Sequence, residues 1–175
     1  MNKLKNVLAI FLLLGSTYVS KAQDCNFDKD EKDKFTGEIT RMADQRMGNI
    51  TTHWNLILEQ KGTKYFLGLR LLRSTAITNH VLKGEKFYLK LEDGKVLAIA
   101  ADKDYAPTFY SANGGVQTTI NTRGEVDLET LKSLSASPVT DIKITVGGND
   151  MTQSSIPSKQ TKKVMEYAAC LAASK

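Results

Sequence analysis

The chain has 175 residues, 24 basic and 19 acidic side chains, a formal charge of +5, two histidines and two cysteines. No CxxC pair is present, which excludes a thioredoxin-like redox centre, and two isolated histidines exclude an HExxH metal motif. Outside the N-terminal leader, no stretch is apolar enough to span a bilayer.

The N-terminus reads as a secretory signal. Lys3 and Lys5 form a basic start, VLAIFLLL (residues 7–14) is an apolar segment too short to span, and Ser20-Lys21-Ala22 offers small residues for cleavage. Cleavage is expected near Ala22, leaving a single globular domain over 23–175 that is periplasmic or secreted. Removing residues 1–22 takes away three lysines and no acid, so 21 basic residues face 19 acidic ones and the charge falls to +2. A domain so nearly neutral gives no support to nucleic-acid binding.

Cys25 follows SKAQD, and the polar pair Gln23-Asp24 before it argues against lipid attachment. An oxidising compartment then favours a disulfide between Cys25 and Cys170. Residues 28–33 (DKDEKD) resemble the start of a calcium loop, but Lys32 stands at position five, Asp33 at six and Ile39 at twelve. The pattern fails, and a solvated leader is expected.

Period-two alternation dominates the chain beyond this charged run. Residues 36–42 form a weak strand candidate, with a helix as the alternative. Trp54, Leu56 and Leu58 share one face of a strand over 52–60, and Tyr65, Leu67, Leu69 and Leu71 share one face of the next. Gln60-Lys61-Gly62-Thr63 is the hairpin turn between them. Asp93-Gly94 separates KFYLKL from VLAIA and predicts a second hairpin with Gly94 at positive φ. A weaker strand is expected over 116–121, and a further one is marked by Ile142, Ile144 and Val146.

Asp127 caps a short helix that stops before Pro138, and a terminal helix opens at Ser158 with Val164, Tyr167, Ala168 and Leu171 on one stripe. Cys170 lies at the edge of that stripe, so a disulfide there would clamp the N-terminal tail along the helix flank. The fold class expected is mainly β, strictly α+β. It combines antiparallel sheets, sandwich-like or strongly curled, with a short connecting helix and a C-terminal helix.

DKFTG at 33–37, FYLKLEDGKVLAI, DLETLKSL leading into DIKITV, and AAC in the closing helix resemble a group of small, uncharacterised exported proteins of Gram-negative bacteria carrying a domain of unknown function. The resemblance covers most of the mature chain and implies no established activity. Residues 42–55 and 102–119 fall outside it, which makes them the expected place for a grafted site.

Candidate chemistry is sparse. His53 and His80 lack metal or catalytic spacing, and no GxSxG elbow accompanies the serines. Gly114-Gly115 and Gly147-Gly148 read as turns, not phosphate loops. The basic residues between 36 and 90 either meet an anionic glycan or lipid head group, or guard strand edges against aggregation. The stretch DKDYAPTFYSANGG (102–115) reads as a long loop whose Tyr105, Phe109 and Tyr110 serve a ligand or cap the sheet. The function expected is a non-catalytic binding or accessory module that uses no cofactor or metal and engages an envelope or extracellular protein or a glycan. The alternatives are a small hydrolase with a loop-built site and a secreted enzyme inhibitor.

Overall fold

The computed structural model describes residues 25–48, 53–112 and 115–174. The expected signal peptide and cleavage site lie outside these residues, as does Gly114. Among the described residues, two antiparallel sheets and two helices surround one core.

The first sheet contains β1 (Lys29–Lys32), β2 (Ile39–Met47), β3 (His53–Lys61), β4 (Lys64–Arg73), β7 (Thr108–Ala112) and β8 (Gly115–Val126). Its strand order is β1-β2-β3-β4-β8-β7, and it curls strongly into a half-barrel. The second sheet, ordered β10-β9-β5-β6, contains β5 (Lys86–Leu91), β6 (Val96–Ala100), β9 (Val139–Val146) and β10 (Asn149–Gln153). Helices α1 (Leu128–Ala136) and α2 (Ser158–Ala173) pack on each other, and α2 also lies on β2 and β3.

Alternation fixes which face each strand buries. Trp54, Leu56 and Leu58 pair across the ladder with Leu71, Leu69 and Leu67, and all six side chains are buried. Ile120 extends this face onto β8, while Phe87, Leu89, Ile142 and Ile144 supply the opposing sheet. Each fully buried aliphatic or aromatic side chain contributes about 1.5–3 kcal/mol relative to exposure. Asp127 accepts the Thr130 N–H at 2.8 Å to start α1, whose Leu131 and Leu134 point inward. Val164, Ala168 and Leu171 do the same on α2, as their spacing predicts.

Both expected hairpin turns are present. Gly62 has φ +58 and Gly94 has φ +89, while the Asp93 carboxylate accepts the Lys95 N–H at 2.9 Å to hold the second turn. Gly147 and Gly148 also have positive φ and join β9 to β10. The weak candidate at 36–42 is a strand, not a helix, and begins at Ile39. The strand expected at 116–121 extends to Val126 because all of β8 from Thr118 onward pairs with β4.

Two segments differ from the sequence reading. The charged run at 28–33 forms edge strand β1, held by its ladder to β2 and by Asp30 against Arg41 at 3.3 Å. The presumed loop at 102–115 contains β7, which pairs residue for residue with β8. Turn formers masked the alternation there, and the partner strand supplied the order.

The Cys25–Cys170 disulfide is formed, with Cα atoms 5.9 Å apart. Phe27 stacks on Tyr167 at 6.1 Å, so the tail lies along α2 through two contacts, in keeping with the flank position of Cys170. Where the two sheets meet, a Cβ on Gly124 would stand 2.1 Å from the Ala100 carbonyl oxygen. That approach admits only glycine.

Two glycines therefore fail for different reasons. Gly94 has open space and a positive φ, so Gly94→Val is expected to cost about 1 kcal/mol or more through backbone strain. Gly124→Ala meets backbone and is expected to cost about 3 kcal/mol or more. Urea midpoints at constant m-value check the order. Opening the disulfide releases a loop with sequence separation 145. A Cys25→Ser, Cys170→Ser double variant is expected to lose up to about 5 kcal/mol, the ceiling set by chain entropy.

Candidate binding site

The histidines are not brought into a catalytic arrangement. His53 opens β3 on the exposed surface with its Nδ1 3.4 Å from Arg46 Nη2, and His80 is exposed ahead of Val81. Among the described residues no cluster of three or more His, Cys, Asp or Glu side chains could hold a metal ion.

Three basic residues on the first sheet face acids on other strands. Arg41 meets Asp30, Arg70 meets Asp44, and Lys64 meets Glu125 at 2.8 Å. Asp44 also accepts from Asn55 at 2.6 Å. Such pairing gives this part of the surface mixed sign.

A cleft of about 530 Å³ opens between β9 and the start of α2, lined by Thr140, Asp141, Ser154, Ser155, Ser158 and Lys162 among others. The hydroxyls of Thr140, Ser154 and Thr161 are engaged internally. Ser154 and Thr140 both donate to Asp141, Ser154's bond being the larger reason that the Asp141 carboxyl is held below the usual carboxylate range. The described lining contains no histidine to activate a serine and no aromatic ring to stack on a sugar.

The three aromatic candidates separate into two sites. Tyr105 belongs to a strut on the outer face of the first sheet. Gly68 stands opposite Arg123 in the ladder and has no side chain, so the guanidinium lies over Phe66 at 4.4 Å. Arg123 pairs with Glu59 at 2.8 Å and Asp102 at 3.3 Å. Tyr105 donates its hydroxyl to Asp102 at 2.5 Å, and its backbone exchanges two hydrogen bonds with Val81. Burial, then the Asp102 hydrogen bond and charge, push the Tyr105 phenol up to about 12. Burial disfavours the Arg123 charge, but Glu59 and Asp102 outweigh it and hold the guanidinium protonated beyond its ordinary range. These groups satisfy one another, so the strut joins the end of the second sheet to the first.

Phe109 and Tyr110 are displayed instead. As neighbours on β7 they take opposite faces, Phe109 across from Thr118 and Tyr110 across from Gln117. Phe109 is 47% and Tyr110 41% exposed, and Val116 on β8 is 49% exposed. Thr118 is buried, donating to the Thr75 carbonyl at 2.7 Å and accepting the Ile77 N–H at 3.2 Å. That pins the 74–77 segment beside Phe109 and sets the hairpin on a fixed base.

Phe35 escaped the sequence reading. It is 98% exposed in the turn between β1 and β2. The Asp33 carboxylate accepts the N–H groups of Thr36 at 2.7 Å and Phe35 at 2.8 Å, which also lowers its pKa. Gly37 at φ +73 completes the turn. The signal available was an apolar residue inside an Asp-x-x-x-Gly turn, which reads as scaffold until burial is known.

The Tyr105 shift gives a pH prediction. A phenol raised from 10.0 to about 12 favours the neutral form in the folded state. Its contribution is complete below pH about 10 and lost as pH rises toward about 12. Tyr105→Phe is expected to lower stability at neutral pH by about 1 kcal/mol, the net worth of one hydrogen bond, and to flatten the alkaline decline. Urea midpoints between pH 7 and 11.5 check both.

No protein-family model, curated protein or solved structure matches this chain.

Proposed function

We propose that the protein is an exported, non-catalytic binding module and that the β7–β8 hairpin carries its binding surface. The observation behind this reading is the display of Phe109, Tyr110 and Val116 on a strand pair whose base is pinned through Thr118. Ordered aromatic side chains make effective anchors because they bring large contact area with little conformational entropy to lose. The disulfide supports export, since such bonds persist in oxidising compartments. The partner is an envelope or extracellular protein or a glycan. The resemblance to small exported proteins of Gram-negative bacteria accords with this role, and Phe35 supplies a third exposed aromatic, apart from the hairpin.

Alanine replacements at Phe109, Tyr110, Phe35, His53 and His80 test the reading. The bait is the mature, disulfide-bonded protein, and the assay is retention of envelope proteins or glycans from the exporting cell. Phe109→Ala and Tyr110→Ala are expected to reduce retention at least tenfold, with the histidine variants unchanged. Phe35→Ala is expected to shift stability by no more than about 0.5 kcal/mol, as for a surface side chain without packing. Loss of function in a folded His53→Ala or His80→Ala protein, with the aromatic variants intact, would replace this reading with the hydrolase alternative.

A further inference from the structure

The hairpin that displays Phe109 and Tyr110 also ends a sheet. Among the described residues β7 is the last strand of the first sheet and has only β8 beside it. Exposed edges invite pairing with another chain, and proteins blunt them with charge or cover. The remaining edges are blunted. β1 is KDEK, charged at every residue, and β10 carries Asp150, which pairs with Lys143 at 2.5 Å. β6 has no charge, but its end lies against β8, where the Asp102 N–H donates to the Arg123 carbonyl at 2.9 Å and Ala100 meets Gly124.

Among the described residues β7 has neither protection. From Tyr105 to Thr122 there is no charged side chain, an 18-residue interval that is the longest of its kind in a chain one-quarter charged. A second copy can meet this edge without like charges facing one another.

We infer that β7 pairs antiparallel with β7 of a second copy about a two-fold axis at Tyr110, joining two six-stranded sheets. This rests on reading the hairpin as the binding surface and names its occupant. Centring on Tyr110 is the register that pairs all five residues of the strand: Thr108 faces Ala112 of the second copy, Phe109 faces Ser111, and Tyr110 faces its equivalent. Ser111 lies opposite Val116 within the hairpin. Pairing therefore brings Phe109 of one copy beside the Ser111–Val116 row of the other, while the two tyrosines meet on the opposite face. One operation covers the three exposed hydrophobic side chains of the hairpin. A five-residue strand is only about 17 Å long, a short seam beside the roughly 1,000 Å² that a stable interface buries, so the dimer is expected to be concentration-dependent.

Sedimentation of the mature, disulfide-bonded protein tests this. Weight-average mass is expected to climb toward twice the monomer value between about 10 μM and 1 mM, the range expected of a weak interface. Tyr110→Lys places two cations face to face and is expected to abolish the climb. Tyr110→Cys places two thiols across the axis at a Cα separation of about 4.5–5.5 Å, within disulfide range. Mild oxidation is expected to link most of that variant, but not an exposed Lys132→Cys control on α1. The cross-link also decides the matter should Tyr110→Lys disturb the fold. A monomer throughout, with no Tyr110→Cys dimer above the control, would overturn the pairing. If Phe109→Ala still lost an envelope partner in that case, the binding reading would stand and only the self-pairing would fall.

Discussion

The approach of Ala100 to Gly124 is the constraint on which the arrangement of this molecule depends. A carbonyl oxygen from one sheet occupies the space where a side chain on the other would begin. Because that space is free, the chain leaving β6 settles against β8 and Asp102 donates its N–H to the Arg123 carbonyl. The side chain of Asp102 is then placed to receive Arg123 and Tyr105. The segment so anchored leads into β7, which takes the side of β8 away from β4. Strut and displayed hairpin are consequences of one close backbone contact.

The electrostatics obey the same economy. Arg41 and Lys64 meet acids on neighbouring strands, and exposed pairs of this kind add little stability because solvent screens them. Their effect is on surface character, since they leave the outer face mixed in sign. Against that background the uncharged stretch from Tyr105 to Thr122 is the region of different chemistry. Tyr105 lies within the same uncharged interval, yet its hydroxyl is committed to Asp102. Aromatics close together in the chain thus serve opposite ends, Tyr105 holding the scaffold while Phe109 and Tyr110 face outward.

At the other end of the chain, the tail before β1 is too short and polar to bury itself. Cys25 and Phe27 attach it to Cys170 and Tyr167 on α2, and Asp28 accepts the Asp44 N–H at 2.6 Å. These contacts place a strand made wholly of charged residues at the sheet edge. They also position the turn that carries Phe35.

Local pattern by itself determined much of this protein. Alternation at Trp54, Leu56 and Leu58 selected the buried face because side chains on a strand point to opposite sides with period two. Asp93-Gly94 fixed a turn because glycine accepts positive φ, and Asp127 fixed the start of a helix because its carboxylate reaches the first free N–H groups. The compartment chemistry and helix spacing together indicated the cysteine pairing. Only the tertiary structure decided the rest. β1 and β7 carry no buried alternation of their own, and their order comes from hydrogen bonds to the next strand in the chain. The separation of Tyr105 from Phe109 and Tyr110 depended on where Asp102 and Arg123 meet, and the exposure of Phe35 on a turn that holds it off the body. The need for glycine at 124 shows only where Ala100 stands beside it, because close approach between distant backbones leaves no periodic mark in a sequence.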